Sequence, residues 1–336
     1  MTAGRLAAMA AAIPVACAGG GGGGGRGASG GSGVHAPARN GLRLRSPDLD
    51  RPLHESYPER SETEPADPVE RAVFDRINAD REAAGLPRVA WDEGAARSAR
   101  QFTAAQIRER TRGHYLTDGL PPYARTAFAG LFGVQAENSA TFLTSAREFQ
   151  VSAKELALAS HRDMIGETPP DDGHRRTILD PTATHVGLGW ASQSGSFRMA
   201  EEFMTRRLAE LTLTRVAVAP ETILIEGRIL SRYSFEFVTI AHEPAPRSLT
   251  RAEADARTSY AYPDPQIGYV AEGRKTLRVV GADTQDRVSV RGASFSFRFT
   301  PSLPGLWTVL VYTSEGRKEP RPGGLAVFWM EPAGTE

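Results

Sequence analysis

The spacing of apolar residues changes once along this chain, and that change restricts it to two kinds of packing, one after the other. From Asp67 the spacing is helical. Val69, Val73 and Ile77 recur every four residues with Phe74 beside them, which places them on one helix face. Asp67 suits an N-cap, Pro68 the first helical position, and Gly85 with Pro87 the end. Asp92 caps a second helix expected to reach about Arg112, with Ala95, Ala99, Phe102 and Gln106 along one face. A third helix is expected over Ser145–Met164, with Phe149, Leu156 and Ala159 inward. Thr184–Ala191 alternates as a strand, and Phe197–Met204 is its expected hairpin partner across Ser192–Ser196.

After about Leu211 the period becomes two. Short apolar segments alternate with Gly/Pro turns at Arg215–Ala219, Thr222–Leu230, Ser234–Ala241, Gln266–Val270, Thr276–Val280, Ser294–Phe299, Trp307–Thr313 and Leu325–Met330. Phe295, Phe297 and Phe299 take alternate positions, as a strand with one buried face requires. Short strands at this spacing predict a β-sandwich of immunoglobulin-like type. The aromatics read as core rather than as a ligand platform. A chain of 336 residues is long enough for both regions.

Ahead of Asp67 lies no core-forming pattern. Arg5 is followed by an apolar run, Leu6 to Ala18, too short to cross a bilayer as a helix. A charged start, a short apolar stretch and small residues form a secretory-signal layout. Cys17 follows Pro14-Val15-Ala16, similar to the lipobox of bacterial lipoproteins, although Pro14 stands where a branched aliphatic residue is usual. Cleavage before Cys17 gives a lipid-anchored protein, and cleavage after Ala18 a soluble secreted one. A Gly run from Gly19 to Gly25 and a polar stretch to Ala66 read as a flexible tether, with a reach of roughly 35–40 Å. The expected division is therefore a signal segment at 1–17, a tether at 18–66, an α/β domain at 67–208 and a β-sandwich at 212–332.

Composition closes off some functions. There are 40 basic and 40 acidic side chains, so the net charge is zero and nothing marks the chain as a nucleic-acid binder. Cys17 is the one cysteine, which excludes an intrachain disulfide scaffold and a Cys-based zinc site. No His-Glu-x-x-His helix occurs, and no Gly-x-Ser-x-Gly elbow lies in the two regions with a folding pattern.

Four of the seven histidines fall between His114 and His185. His114 follows Gly113 where the second helix should stop. Glu137-Asn138 is placed in a loop after Gly133, His174 lies in Gly173-His174-Arg175, and His185 opens His185-Val186-Gly187-Leu188-Gly189. Each alone reads as structural, and spacing does not show whether they converge. Gly187 and Gly189 let another backbone approach. His185 and Arg175 read as scaffold residues.

In order, these motifs carry a family resemblance. Asn78-Ala79-Asp80-Arg81, Gly85-Leu86-Pro87, Trp91-Asp92, His114, Glu137-Asn138, Gly173-His174-Arg175 and His185-Val186-Gly187-Leu188-Gly189 follow one another over about Pro68 to Arg206. This stretch resembles the CAP superfamily, the SCP-like extracellular domains named for cysteine-rich secretory proteins, antigen 5 and pathogenesis-related 1, in its bacterial secreted form. The resemblance implies an α+β fold, with an α-β-α sandwich preceding the all-β domain. It also implies a cleft lined by two His and two acids. His114, Glu137 and His174 take three of those places by motif. Glu167 is preferred for the fourth, with Glu155, Asp171 and Asp172 as alternatives. Ala136 stands where Gly is usual and Thr177 where Asn is usual.

The resemblance further implies a small apolar ligand, or an envelope component, and a divalent metal such as Zn²⁺ on His114 and His174. With Cys17 lipidated, the protein would sit in the bacterial cell envelope. A metal-assisted hydrolase using the same cleft, and an envelope adaptor acting through the β-sandwich, are the alternatives. Binding ranks ahead of catalysis, because no nucleophile motif accompanies the histidines.

Overall fold

The computed structural model describes residues 42–45, 64–218, 220–274 and 278–333. The signal segment and Cys17 lie outside the described residues, as does most of the expected tether. One part of that tether is not loose. Strand β1 (Leu42–Leu44) pairs antiparallel with the last strand of the chain, Leu42 opposite Pro332. Leu42 and Leu44 pack against the sandwich core, an attraction that a Gly/Ser/Pro-based reading of the region overlooks.

The first folded region is a three-layer sandwich. Helix α1 (Pro68–Ala83) is capped by Asp67, whose side chain accepts from the Val69 and Glu70 amides. Strand β2 (Ala90–Trp91) leads to α2 (Glu93–Glu109), capped by Asp92. That helix stops short of the expected Arg112, because Arg110 turns left-handed at φ 59°. A short helix, α3 (Pro122–Phe128), follows. Then comes β3 (Val134–Leu143), where the sequence suggested a loop around Glu137-Asn138. Helix α4 (Ala153–Ile165) starts later than expected, at a capping box between Ser152 and Glu155, so Phe149 precedes it. A one-turn helix, α5 (Gly173–Ile178), carries His174. The hairpin β4 (His185–Gln193) and β5 (Ser196–Thr205) turns tightly through Ser194-Gly195.

These strands form a sheet in the order β2-β4-β5-β3, which leaves β3 at an edge. Val73, Ile77, Leu156, Met164, Val186, Leu188 and Phe203 join one face of the sheet to α1 and α4. The other face meets α2 through Ala99, Phe102 and Ala200. A Cβ on Gly187 would stand 2.0 Å from the Ala96 nitrogen, and one on Gly189 2.2 Å from the Arg100 nitrogen. Only glycine lets α2 lie this close to β4.

Two residues, Arg206 and Arg207, separate β5 from β6 (Leu208–Val218), so the expected break near 209–211 falls inside a strand. The second region continues with β7 (Glu221–Ile229), β8 (Ser234–Glu243), α6 (Arg251–Ala256), β9 (Ile267–Ala271), β10 (Asp283–Arg291), β11 (Ser294–Phe299), β12 (Gly305–Ser314) and β13 (Arg321–Pro332). The strand expected at Thr276–Val280 is absent from its described part, 278–280. The strand comes instead at β10, a polar segment in which Val288 alone is fully buried.

Strand order is β1-β13-β12-β8-β9-β10-β11-β7-β6. The early part of β10 pairs parallel with β9, and its last residues pair antiparallel with β11. The chain thus folds over at β10 into a sandwich. Leu211, Ile225, Phe295 and Phe297 on one side meet Val238, Val309, Val311 and Phe328 on the other.

The two regions share a second core. Tyr123, Ala124 and Ala127 of α3 pack with Phe237, Leu306, Leu310, Tyr312, Leu325 and Val327 on the outer face of the β8-β12-β13 sheet. Tyr260 and Tyr262, from the segment before β9, complete that cluster. The junction itself is tied down: the Arg207 amide donates to Gly323 O and the Leu325 amide to Phe132 O.

Candidate functional site

The motif that opens the first region works as scaffold. The Asn78 carboxamide spans Val89, donating to its carbonyl and accepting from its amide. Arg81 is fully buried and donates to the carbonyls of Pro87, Ile178, Asp180 and Ala183. These bonds hold to α1 the two loops that lead into β2 and into the strand it pairs with in parallel, which begins at His185. Arg175 also serves a carbonyl, that of Ile165 at 2.6 Å.

The candidate cleft lies around the edge strand β3. Residues 135, 137 and 139 share the face toward α2, and 136, 138 and 140 the opposite face. Glu137 is therefore on the α2 side and fully buried. His114, placed by the turn after α2, donates from Nδ1 to Glu137 Oε1 at 2.8 Å. Arg125 of α3 donates to Glu137 Oε2, and its guanidinium lies 3.8 Å from the centre of the Phe102 ring. Glu202 stands directly across from Glu137 in the β3–β5 pairing and is also fully buried. Gln135 donates to Glu202 Oε2 at 2.6 Å.

Two buried carboxyls face to face do not both ionise. Burial raises Glu137, opposed by Arg125. Burial and then the neighbouring Glu137 push Glu202 well above the carboxylate range. The shared proton therefore resides on Glu202, while Glu137 stays the acceptor for Arg125 and His114. Burial, followed by the charges of His174 and Arg125, pushes His114 down to about 3. It is a neutral imidazole at any ordinary pH.

The second half approaches from the other face. The His174 carbonyl accepts from Asn138 Nδ2 at 3.3 Å. His174 Nδ1 donates to Glu167, whose other oxygen accepts from the His174 amide at 2.9 Å. Glu155 lies in the exposed capping box of α4, away from this pair. Asp172 pairs with Arg176, and Asp171 is exposed. His185 bonds its neighbour Thr184, and burial followed by Arg206 holds it down to about 4. The His114–Glu137 and His174–Glu167 pairs differ in access: their side chains are 3% and 0% exposed against 19% and 21%.

Several contributors escaped the sequence reading. Glu201 and Glu202 were visible as two acids in the middle of an apolar strand, a placement that signals partners. Glu201 accepts from His161 Nδ1 at 2.7 Å, and His161 Nε2 meets Asp80 at 3.0 Å. Burial opposes a charge on His161, but Glu201 and Asp80 together raise its pKa. Arg125, Tyr260 and Tyr262 carried no signal, since their role depends on α3 and on the second region folding back.

An edge strand flanked by two imidazoles, each with its own carboxylate, sets a class: an α-β-α sandwich with a His/acid cleft. Residues 74–205 match the family described as CAP: Cysteine-rich secretory protein family, and this segment is a CAP domain. Among solved structures, the chain is similar to an outer surface protein from Borrelia burgdorferi (14% identity, TM-score 0.33, covering 41% of this chain and 92% of that one). It is also similar to an extracellular SCP-domain protein from Bacillus anthracis, at 18% identity and TM-score 0.31 over 43% of this chain and 45% of that one. A third is a venom allergen-like protein from Schistosoma mansoni, at 13% identity and TM-score 0.30, covering 41% and 88% respectively. No curated protein sequence matches the chain.

Proposed function

We propose that this is an extracytoplasmic CAP-domain protein whose cleft binds a divalent cation, with Zn²⁺ as the type, through His114 and His174. One observation carries the reading. Each imidazole gives Nδ1 to its own carboxylate, which leaves Nε2 as the lone-pair nitrogen. Carboxylate–histidine pairs of this kind orient metal-binding imidazoles and raise their basicity. The neutral state of His114 keeps that nitrogen available. Among the described residues no three His, Cys, Asp or Glu form a cage for a metal ion. Two protein ligands would leave positions for water or for a small ligand oxygen, and a bound cation would polarise that oxygen. A small apolar ligand or envelope component is proposed for the rest of the cleft.

The hydrolase alternative needs Glu137 as a base. Its two oxygens are instead engaged by His114 and Arg125, which favours an orienting role. The adaptor alternative would use the sandwich surface, where Glu226, Glu272, Asp286, Arg287 and Arg298 rim a groove of about 490 Å³.

Titration calorimetry with Zn²⁺ tests the cleft. Wild type is expected to bind, and His114→Ala or His174→Ala to lose about tenfold or more in affinity. Equal binding by all three would overturn the assignment.

The secretory family description and the signal-like start support a location outside the cytoplasm. No described helix is long and apolar enough to cross a membrane. Attachment through a lipidated Cys17 is part of the proposal. Mass spectrometry of membrane-extracted protein is expected to give an N-terminal diacylglyceryl-cysteine peptide beginning at Cys17. A peptide beginning elsewhere, or without the adduct, would remove this element.

A further inference from the structure

Strand β3 is an edge strand, and an edge exposes backbone N–H and C=O groups at every second residue. At the Gln135 amide and carbonyl and the Glu137 amide those groups are met by neither a strand nor a helix. The Tyr262 hydroxyl accepts from the Gln135 amide and donates to the Gln135 carbonyl, both at 2.9 Å. The Tyr260 hydroxyl accepts from the Glu137 amide at 2.6 Å and donates to Gln135 Oε1 at 3.1 Å. The rings are seated as well. Tyr260 meets the His114 ring at 5.1 Å in an edge-on contact, and Tyr262 stacks on Tyr123 at 4.8 Å.

The segment bearing these tyrosines has the form of a bound peptide. Residues 257–265 are neither helix nor strand, and Ser259 and Ala261 are exposed while Tyr260 and Tyr262 are buried. It is anchored by two side chains at alternate positions, the spacing with which an extended peptide addresses a sheet edge. It also covers one half of the cleft. His114 and Glu137 lie beneath Tyr260, whereas His174 and Glu167 stay partly open.

We propose that the β3 edge beside His114 is a recognition site for an extended tyrosine-x-tyrosine peptide, and that residues 258–264 of this chain are its resident occupant, closing the His114 half of the cleft. A cation or ligand then reaches His174 first, and reaches His114 only when the segment lifts. That consequence rests on the cleft reading above; the occupancy does not.

Diethyl pyrocarbonate labelling of the full-length protein, followed site by site with mass spectrometry, tests the occupancy without any metal. Imidazole nitrogens that solvent reaches react, so protection of the buried His114, read against the partly exposed His174 of the same molecule, reports access. In wild type, His174 is expected to react and His114 to be protected. In a folded Tyr260→Ala/Tyr262→Ala variant, His114 labelling should accelerate about tenfold or more, as expected when a packed cover is removed. A free peptide of residues 258–264, Thr-Ser-Tyr-Ala-Tyr-Pro-Asp, should restore protection. Unchanged His114 labelling in that variant overturns the proposal, as does failure of the peptide to protect. If the double alanine variant does not fold, Tyr260→Phe/Tyr262→Phe keeps the rings and removes only the hydroxyls. Hydrogen exchange at the Gln135 and Glu137 amides should then rise about tenfold, the loss expected for hydrogen bonds of ordinary strength; no change overturns it. Zn²⁺ binding absent from every variant would remove the metal reading while leaving the labelling result intact.

Discussion

Glu202 has no solvent to face, yet its proton sets how its neighbours behave. With Glu202 protonated, Glu137 remains the single negative charge among His114, Arg125 and the strand backbone. The linkage has a definite sign. An unfolded glutamate titrates near 4.5, whereas the folded Glu202 keeps its proton well above that value. Its contribution is fully present below about 4.5 and is lost progressively as pH rises toward the folded pKa. His114 runs the other way: its stability is complete above about 6.5 and is lost as pH falls toward about 3. Glu202→Gln copies the protonated side chain, so its amide can donate to Glu137 while its carbonyl accepts from Gln135. The variant is expected to melt higher than wild type at pH 8 and near wild type at pH 5, by about 2–4 °C for each kcal/mol relieved. Thermal melts at the two pH values check this; an equal or lower midpoint at pH 8 counts against the shared proton.

At the scale of elements, the β4 glycines carry a sharp expectation. A methyl at Gly189 would meet the backbone of Ala99 and Arg100 at 2.2–2.3 Å, atoms that have no rotamer in which to retreat. Gly189→Ala is expected to destabilise the CAP domain by about 1–3 kcal/mol, in the range of overpacked cores. Denaturant unfolding measures it, and a change below about 0.5 kcal/mol, the ordinary surface range, would show that α2 moves away easily. This close approach was legible in sequence, as were the Asp67 and Asp92 caps and the β4–β5 hairpin, because one local rule decides each. Strand β3 was not legible. Its even positions Val134, Ala136, Ala140 and Phe142 are apolar between polar odd ones, but Asn138 breaks that period and sets Glu137, Asn138 and Ser139 in an unbroken polar run just after Gly133, the composition of a loop. Strand β10 was missed because so little of it is buried. His114, Glu137, Glu167 and His174 were named from motif order, but their pairing, and the arrival of Arg125 and Tyr260, required the long-range fold.

At the scale of the molecule, the CAP domain and the sandwich do not behave as beads on a string. Only Arg206 and Arg207 lie between their strands, and α3 is seated on the sandwich. Separating the two would expose Tyr123, Phe237, Leu310, Tyr312 and Val327 together, an apolar cluster rather than the polar contact of loosely joined domains. Calorimetry of the full chain is expected to give a single cooperative transition, and two resolved peaks would refute the shared core.

Strand β12 shows what that arrangement demands of a sequence. Every one of its ten residues is buried. Trp307, Val309 and Val311 point into the sandwich, and Leu306, Leu310 and Tyr312 into the junction with α3. Neighbouring letters of one strand therefore answer to different halves of the protein, and drift at even positions is checked by a domain that lies more than a hundred residues earlier in the chain.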